Sequence, residues 1–257
     1  MFVEGKWFYN HVLNLHQGGL KLSEINSTHI KSVEHLDKNH NVLTDELRVL
    51  NSQEKQGILT RMISNQKTIV KLVRSGKQTH GNLQFKSELT CIPLKQYGTT
   101  YKFKSQNKIK VAGIHGGMKV KGTNQIPSDC DFANGVLLKK PDGYYLKVTC
   151  YIDKNKMSKT RTNGKEIGLD FGIKTNITTS EGEKLDVSVE ESERLKMLHK
   201  KLQRQKKGSN RRYKTVKAIR RQYQKLTNKK KDKANKIVHK FKQYDTIVMQ
   251  DEQLASW

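Results

Sequence analysis

"EIGLDFGIKTNITTSEGEKLDV", residues 166–187, decides how the chain is read. Ile167 to Phe171 is an apolar run of strand length, and it carries one acid, Asp170, in its middle. Asn176 to Thr179 reads as a second strand and Lys184 to Val187 as a third, with Ser180-Glu181-Gly182 as the turn between them. A lone carboxylate in an apolar strand is expensive to bury unless a cation or hydrogen bonds compensate it. Gly168 and Gly172 flank Asp170 and leave its surface open to close approach.

Outward from this meander, residues 190–242 switch to helical spacing. Leu195, Leu198 and Leu202 form one stripe. "KKGSNRR" (206–212) interrupts it, with Ser209 placed to cap the next helix. Val216, Ile219, Tyr223 and Leu226 form a second stripe, continued by Ala234, Ile237 and Phe241. From Arg194 to Lys242 there are 21 Lys or Arg and one acid, Asp232. A solvated helix face mixes signs, whereas one-sign charge of this density is the footprint of a phosphate backbone. "YDTIVMQDEQLASW" (244–257) then reads as one more strand, Ile247 to Met249, followed by Asp251 and Glu252. A meander with an acid on its first strand, a helical segment and a strand ending in acids is the order of the ribonuclease H-like fold. There the first and fourth strands lie parallel and adjacent, and their acids converge on divalent metals. Two magnesium ions in such a site activate water and stabilise the leaving oxygen of a phosphodiester. Magnesium suits carboxylates, waters and substrate phosphate.

The whole chain of 257 residues repeats the basic theme. It has 50 Lys plus Arg against 24 Asp plus Glu, a net charge of +26. Such a chain repels itself unless it meets a polyanion, and nucleic acid gains affinity by counterion release. A membrane partner is excluded as a spanning mode, since no apolar run approaches the roughly 20 residues required. "MFVEGKWFYN" has no long apolar run of the secretory type, so the expectation is a cytoplasmic protein, nucleoid-associated when on DNA. Cys91, Cys130 and Cys150 form no C-x-x-C pair, which argues against a zinc site and a disulfide framework.

Towards the N-terminus, residues 1–20 read as a helix with Phe2, Trp7, Phe8 and Val12 among polar neighbours, and a polar stretch follows to about residue 45. "VLNSQEKQGILTRMISNQKTIVKLVRSG" (49–76) is a helix capped by Asn51 with Glu54 completing a capping box, and Gly76 is its stop. From about residue 80 the period becomes two: "LQFKSELTCIPL", "TYKFKS", "KIKVAGI", "GVLLKK" and "YYLKVTCYI", with Pro141-Asp142-Gly143 as a hairpin turn. Short strands at this spacing predict a small barrel, with Lys102, Lys104, Lys108 and Lys110 coating one face. "KTRTNGK" (159–165) reads as a linker.

Together these stretches resemble the TnpB family, the transposon-associated RNA-guided DNA nucleases related to the compact CRISPR type V effectors. The resemblance is carried by "GKWFYN" (5–10), "LQFKSELTCIPLKQYGTTYKF" (83–103), "IGLDFGIKTNITTSEG" (167–182), "RQKKGSNRRYKTVKAIRRQYQKLTNKKKDKANKIVHKF" (204–241) and "YDTIVMQDEQL" (244–254). It implies an α+β multidomain chain. A helical recognition domain would span 1–78, a wedge-like β-barrel 79–163, and a partial RuvC-like, ribonuclease H-like domain with a basic helical hairpin 164–257. It also implies a guide RNA from the protein's own or a neighbouring locus and a double-stranded DNA target. Guide pairing would supply specificity while the protein holds the heteroduplex by its backbone.

Carried onto this sequence, Asp170 matches the first catalytic carboxylate. Many relatives place the second directly after the apolar triplet, where this chain has Gln250. Glu252 lies two residues on, hence on the same strand face, and is the expected second acid, with Asp251 as its alternative. Nucleic-acid contacts are expected at Lys174, Arg204, Lys206, Lys207, Arg211, Arg212, Lys214, Arg220, Arg221, Lys229, Lys230 and Lys231. The family adds a basic strand before the first helix, and a zinc ribbon and a third carboxylate after the last strand. The expectation is therefore a chain trimmed at both ends, with magnesium at Asp170 and Glu252 held weakly or not at all, and no zinc. Three functions are open on this reading: a cleavage-deficient RNA-guided DNA-binding protein such as a repressor, an active magnesium-dependent endonuclease completed by a further C-terminal part, and a decayed insertion-sequence fragment.

Overall fold

The computed structural model describes residues 1–257 apart from 38, 40, 80, 157–161, 174 and 252–257. Part of the expected linker at 159–165 thus lies outside the described residues. The chain divides into two units, Met1–Lys156 and Met157–Trp257.

Unit 1 begins with α1 (Phe2–Gln17), the β1–β2 hairpin (Ser32–Leu36 and Val42–Glu46) and α2 (Ser52–Arg74). The hairpin falls where the sequence shows only a polar stretch. Its strands are short, and only Val33 is buried. Its anchor on α1 is aromatic: the Trp7 and His35 rings stack 4.1 Å apart at 3°, and His35 Nε2 meets Asp45 Oδ2 at 2.7 Å. Just beyond it, the Glu4 carboxylate on α1 accepts the backbone N–H groups of Val49 and Leu50 at 2.9 and 3.0 Å. The expected capping box forms: Asn51 accepts from the N–H groups of Gln53 and Glu54, and Glu54 Oε2 accepts the Asn51 N–H at 2.9 Å. Gly76, with φ +70°, supplies the left-handed residue that ends α2.

The β region carries β3 (Cys91–Leu94), β4 (Tyr101–Ser105), β5 (Lys108–Val111), β6 (Met118–Lys119), β7 (Asp131–Lys140) and β8 (Gly143–Tyr151). They form two three-stranded sheets, ordered β3-β7-β8 and β4-β5-β6, and among the described residues neither closes into a barrel. Of the expected run 83–94 only the end is a strand. The Asn10 side chain takes up both the N–H and the C=O of Lys86, at 2.8 and 3.0 Å, so this backbone pairs with α1 instead of a strand. The core joins α1, α2 and both sheets: Phe8, Val12, Leu13, Met62, Ile92, Leu94, Tyr101 and Ile109 are all buried. Close approach of α1 requires Gly5, since a Cβ there would lie 2.7 Å from the Ile92 side chain. Tyr101 pins a bulge in β7 by donating to Ala133 O at 2.8 Å.

Unit 2 contains β9 (Glu166–Phe171), β10 (Ile177–Thr179), β11 (Lys184–Leu185), α3 (Glu193–Gln203), α4 (Asn210–Phe241) and β12 (Thr246–Met249). Its sheet runs β11-β10-β9-β12, with β12 parallel to β9 and the other pairs antiparallel. β11 stops at Leu185, short of the expected Val187, because the Val187 N–H is taken by Asn176 Oδ1 at 2.9 Å. Its core is small: Ile167 and Leu169 from β9, with Phe241 and Tyr244 from the end of α4 and the turn after it. No described helix is long and apolar enough to cross a membrane.

Candidate nucleic-acid interface and acidic strand pair

The hairpin of α3 and α4 is built by two serine caps and a short apolar seam. Ser192 accepts the Leu195 N–H at 3.3 Å and Ser209 the Arg212 N–H at 3.2 Å. Each cap satisfies one of the donors that a helix start leaves open. The helices pack on each other, and Leu195, Thr215, Ile219 and, at the end of α4, Phe241 are their buried positions. The remainder of the expected stripes is only half-buried, and Tyr223 is 44% exposed while facing His199 Nε2 at 3.1 Å. So little apolar surface is enclosed because nearly every other position carries a cation.

Where those cations stand divides them by role. Arg204, Lys206 and Lys207, at and after the end of α3, are exposed, as are Arg211, Lys214, Arg220, Arg221, Lys229, Lys230 and Lys231 on α4. Arg212 differs: it is half-buried and donates from Nη1 to Leu202 O at 2.7 Å and Gln205 O at 3.2 Å. It therefore caps the C-terminus of α3, where open carbonyls favour a cation. Lys174 lies outside the described residues. Lys200, Lys201, Lys217 and Lys225, absent from the expected set, are exposed as well. Lys233 and Lys240 are held by the sheet side of the unit. Lys233 Nζ donates to Ser188 O at 2.6 Å, and Lys240 pairs with Glu183. Asp186, beside Lys233, is held below the usual carboxylate range, first by the Ser188 hydroxyl and backbone N–H and then by that lysine. A sequence run of like charges gives no sign of which members turn inward; only the contacts with Ser188 and Glu183 do.

The middle of α4, residues 227–233, is exposed at every position. Successive side chains turn by about 100°, so Lys229, Lys230 and Lys231 spread round the helix axis. A helix that is polar all round has no face to bury and is held by its two ends.

The strand that carries Asp170 and the strand that precedes Asp251 lie together. Ile247 pairs with Ile167, Val248 with Gly168 and Met249 with Leu169. Asp170 is exposed at the next position of β9, opposite Thr178 on β10. One further step of the parallel register would set Gln250 beside Asp170. Asp251 is exposed, and Glu252 lies outside the described residues. Magnesium needs several hard oxygen ligands. Among the described residues no group of three His, Cys, Asp or Glu comes together that could hold a metal ion. The described acids expected here are two at most, Asp170 and Asp251, fewer than the ligands a two-metal site needs.

No curated protein matches the chain. Residues 147–251 match the family model OrfB_IS605, described as a probable transposase. The match covers β9 to β12 and the basic hairpin, and over that part the chain is similar to this transposase family.

Proposed function

We propose that this chain is an RNA-guided DNA-binding protein descended from a TnpB-type nuclease, deficient in cleavage and acting as a transcriptional repressor at its target. The observation that carries the reading is the α3–α4 hairpin, with 21 basic residues and one acid between Arg194 and Lys242 and an exposed shaft at residues 227–233. Such a surface has the chemistry of a ligand that supplies many phosphates in series. A guide RNA is that ligand, and base pairing from it selects double-stranded DNA. Cleavage deficiency draws on Gln250: an amide where one further step of the register would meet Asp170 brings no negative charge to a divalent metal. Association with the nucleoid follows from DNA binding. A second reading, an active magnesium-dependent endonuclease, draws on Asp170 itself, which stays exposed on an open strand between two glycines.

The test is purification of the chain with its co-purifying RNA, followed by binding and cleavage assays on DNA matched to that RNA, with and without magnesium. Retained specific RNA and programmed DNA binding without cleavage is the expected result. Robust cutting that disappears in Asp170→Ala establishes the second reading instead. Absence of any specific RNA sinks both. Replacing Arg211, Lys214, Arg220 and Lys229 together by Glu should weaken RNA binding and flatten its salt dependence by about 3 in the log–log slope, at roughly 0.7 per single-strand phosphate contact.

A further inference from the structure

The sheet β4-β5-β6 of unit 1 carries cations and no acid. Between Glu88 and Asp129 the chain has seven lysines and neither Asp nor Glu. Five of the seven, Lys102, Lys104, Lys108, Lys110 and Lys119, lie on these three strands, and all five are exposed. The register gathers them on one face. Lys102 stands directly opposite Lys110, and Lys108 directly opposite Lys119, while Lys104 stands at the bulge between Phe103 and Ser105. The alternate positions turn the other way: Tyr101, Ile109 and Val111 are buried, and Phe103 and Met118 pack on the same core. Like charges directly opposite on paired strands oppose the pairing. Among the described residues none of the five lysines has an ion-pair partner, so the two like-charge pairs stand without an internal counter-charge. Two details give the face a shape. A cavity of about 290 Å³ opens at the Lys102–Lys110 pair, lined also by Gly98, Thr99, Ala112 and Gly113. The Lys108 stem lies over Gly117, where an added Cβ would come within 2.7 Å of its Cε, so this side chain reaches across to the β6 side of the sheet.

We propose that the lysine face of β4-β5-β6 is a docking surface for the backbone of double-helical nucleic acid, held without regard to base sequence, with one phosphate seated in the cavity at Lys102 and Lys110. The aromatic residues decide between a duplex and a single strand. Tyr97, Tyr101, Phe103 and Phe132 contact one another, and Tyr101 and Phe103 alternate away from the lysines. Proteins that hold single strands stack the bases on exposed aromatic rings. A face of lysines alone meets only phosphate, which a double helix presents at one charge per about 1.7 Å of its axis. With strands about 4.8 Å apart, three strands make a face about 10 Å wide, a span that meets several phosphates. A single-stranded RNA occupies the α3–α4 hairpin and leaves this face open. The family match at residues 147–251 does not reach this sheet, and the proposal does not rest on guide-RNA binding.

The experiment acetylates the lysines of the full chain alone, with a short DNA duplex, with an RNA duplex of the same length, and with the corresponding single strands, and reads the modified positions by peptide mass spectrometry. A duplex should protect Lys102, Lys108, Lys110 and Lys119, and the single strands should leave them reactive. Protection by one duplex alone names the source as DNA or RNA, and either supports the proposal. Replacing Lys102, Lys108, Lys110 and Lys119 together by Gln should flatten the salt dependence of DNA-duplex binding by about 3.6 in the log–log slope, at roughly 0.9 per phosphate contact, and alike for unrelated sequences. This variant also loses both like-charge pairs, so its urea midpoint should hold or rise, which separates lost binding from lost fold. Replacing Arg211, Lys214, Arg220 and Lys229 by Gln should leave the duplex protection of the face in place, even where guide RNA is no longer retained. Lysines that stay reactive under both duplexes, equal protection by single strands, or an unchanged salt slope would each overturn the proposal.

Discussion

Unit 1 and unit 2 enclose apolar surface on very different scales. In unit 1 the buried set runs from Phe8 on α1 through Met62 on α2 to Ile92, Leu94, Tyr101, Ile109 and Val111 on the strands. In unit 2 the sheet-side core is four residues, Ile167, Leu169, Phe241 and Tyr244, and β12 leaves Ile247, Val248 and Met249 exposed. Hydrophobic burial scales with apolar area removed from water. Unit 1 therefore carries its own stability, whereas unit 2 carries the dense one-sign run from Arg194 to Lys242 and gains most when a polyanion neutralises it. The part with the smaller core is thus the part that holds the candidate function.

The largest effect on that contrast comes from a core deletion. Phe8 is fully buried against the strands and α2, and Phe8→Ala should cost unit 1 about 3–5 kcal/mol. Urea unfolding followed by tryptophan fluorescence reports it, because Trp7 lies one residue away. A loss below about 1 kcal/mol would show that the unit 1 core is not its main support.

The second test separates the units by solution condition. Glu54 is fully buried at the start of α2, its Oε1 has no partner, and burial pushes its pKa from 4.5 up to about 7 against the opposing hydrogen bonds of the capping box. The folded state thus binds this proton more tightly than the unfolded state. Its contribution favours folding below pH 4.5 and is lost as pH rises through about 7. At most about 3 kcal/mol is at stake, because each tenfold gain in proton affinity is worth about 1.36 kcal/mol. Glu54→Gln should flatten the stability of unit 1 between those limits and raise it above pH 7, measured by urea midpoints across pH. An unchanged pH profile would remove Glu54 as the cause.

Unit 2 should answer to RNA instead. With RNA at 100 times its dissociation constant, binding should stabilise unit 2 by about 2.7 kcal/mol and leave unit 1 unmoved. Hydrogen exchange resolves the two, with protection expected at Ile167, Leu169 and Ile219 and none added at Ile92 or Ile109. Equal protection in both units would end the division of labour proposed for them.

Much of this arrangement is legible in the residues. The meander 166–187, the hairpin break at Ser209 and the capping box at Asn51 each have a local cause: a turn, a serine cap, a glutamate three residues on. The β1–β2 hairpin is not legible, because its support is a ring stack between Trp7 and His35, 28 positions apart. The region around Lys86 fails as a strand for a similar reason, its hydrogen bonds going to Asn10. At the candidate site the sequence names Asp170 and the terminal acids but not the register that sets Val248 beside Gly168. Nor does it distinguish Arg212, which caps α3, from Arg211, which faces solvent.

That last distinction yields the smallest effect and the most discriminating test. Ser209 caps α4 through the Arg212 N–H, and the Arg212 side chain closes α3 from the same turn. Ser209→Ala should cost about 1 kcal/mol of hairpin stability, seen by hydrogen exchange at Leu195 and Ile219. Arg212→Gln should loosen the same two positions, because the open carbonyls of Leu202 and Gln205 lose their donor. Arg211→Gln should instead leave the hairpin intact and weaken only RNA binding and its salt slope. If Arg211 and Arg212 behave alike in both measurements, the partition of the basic residues into those that build the hairpin and those that bind is wrong.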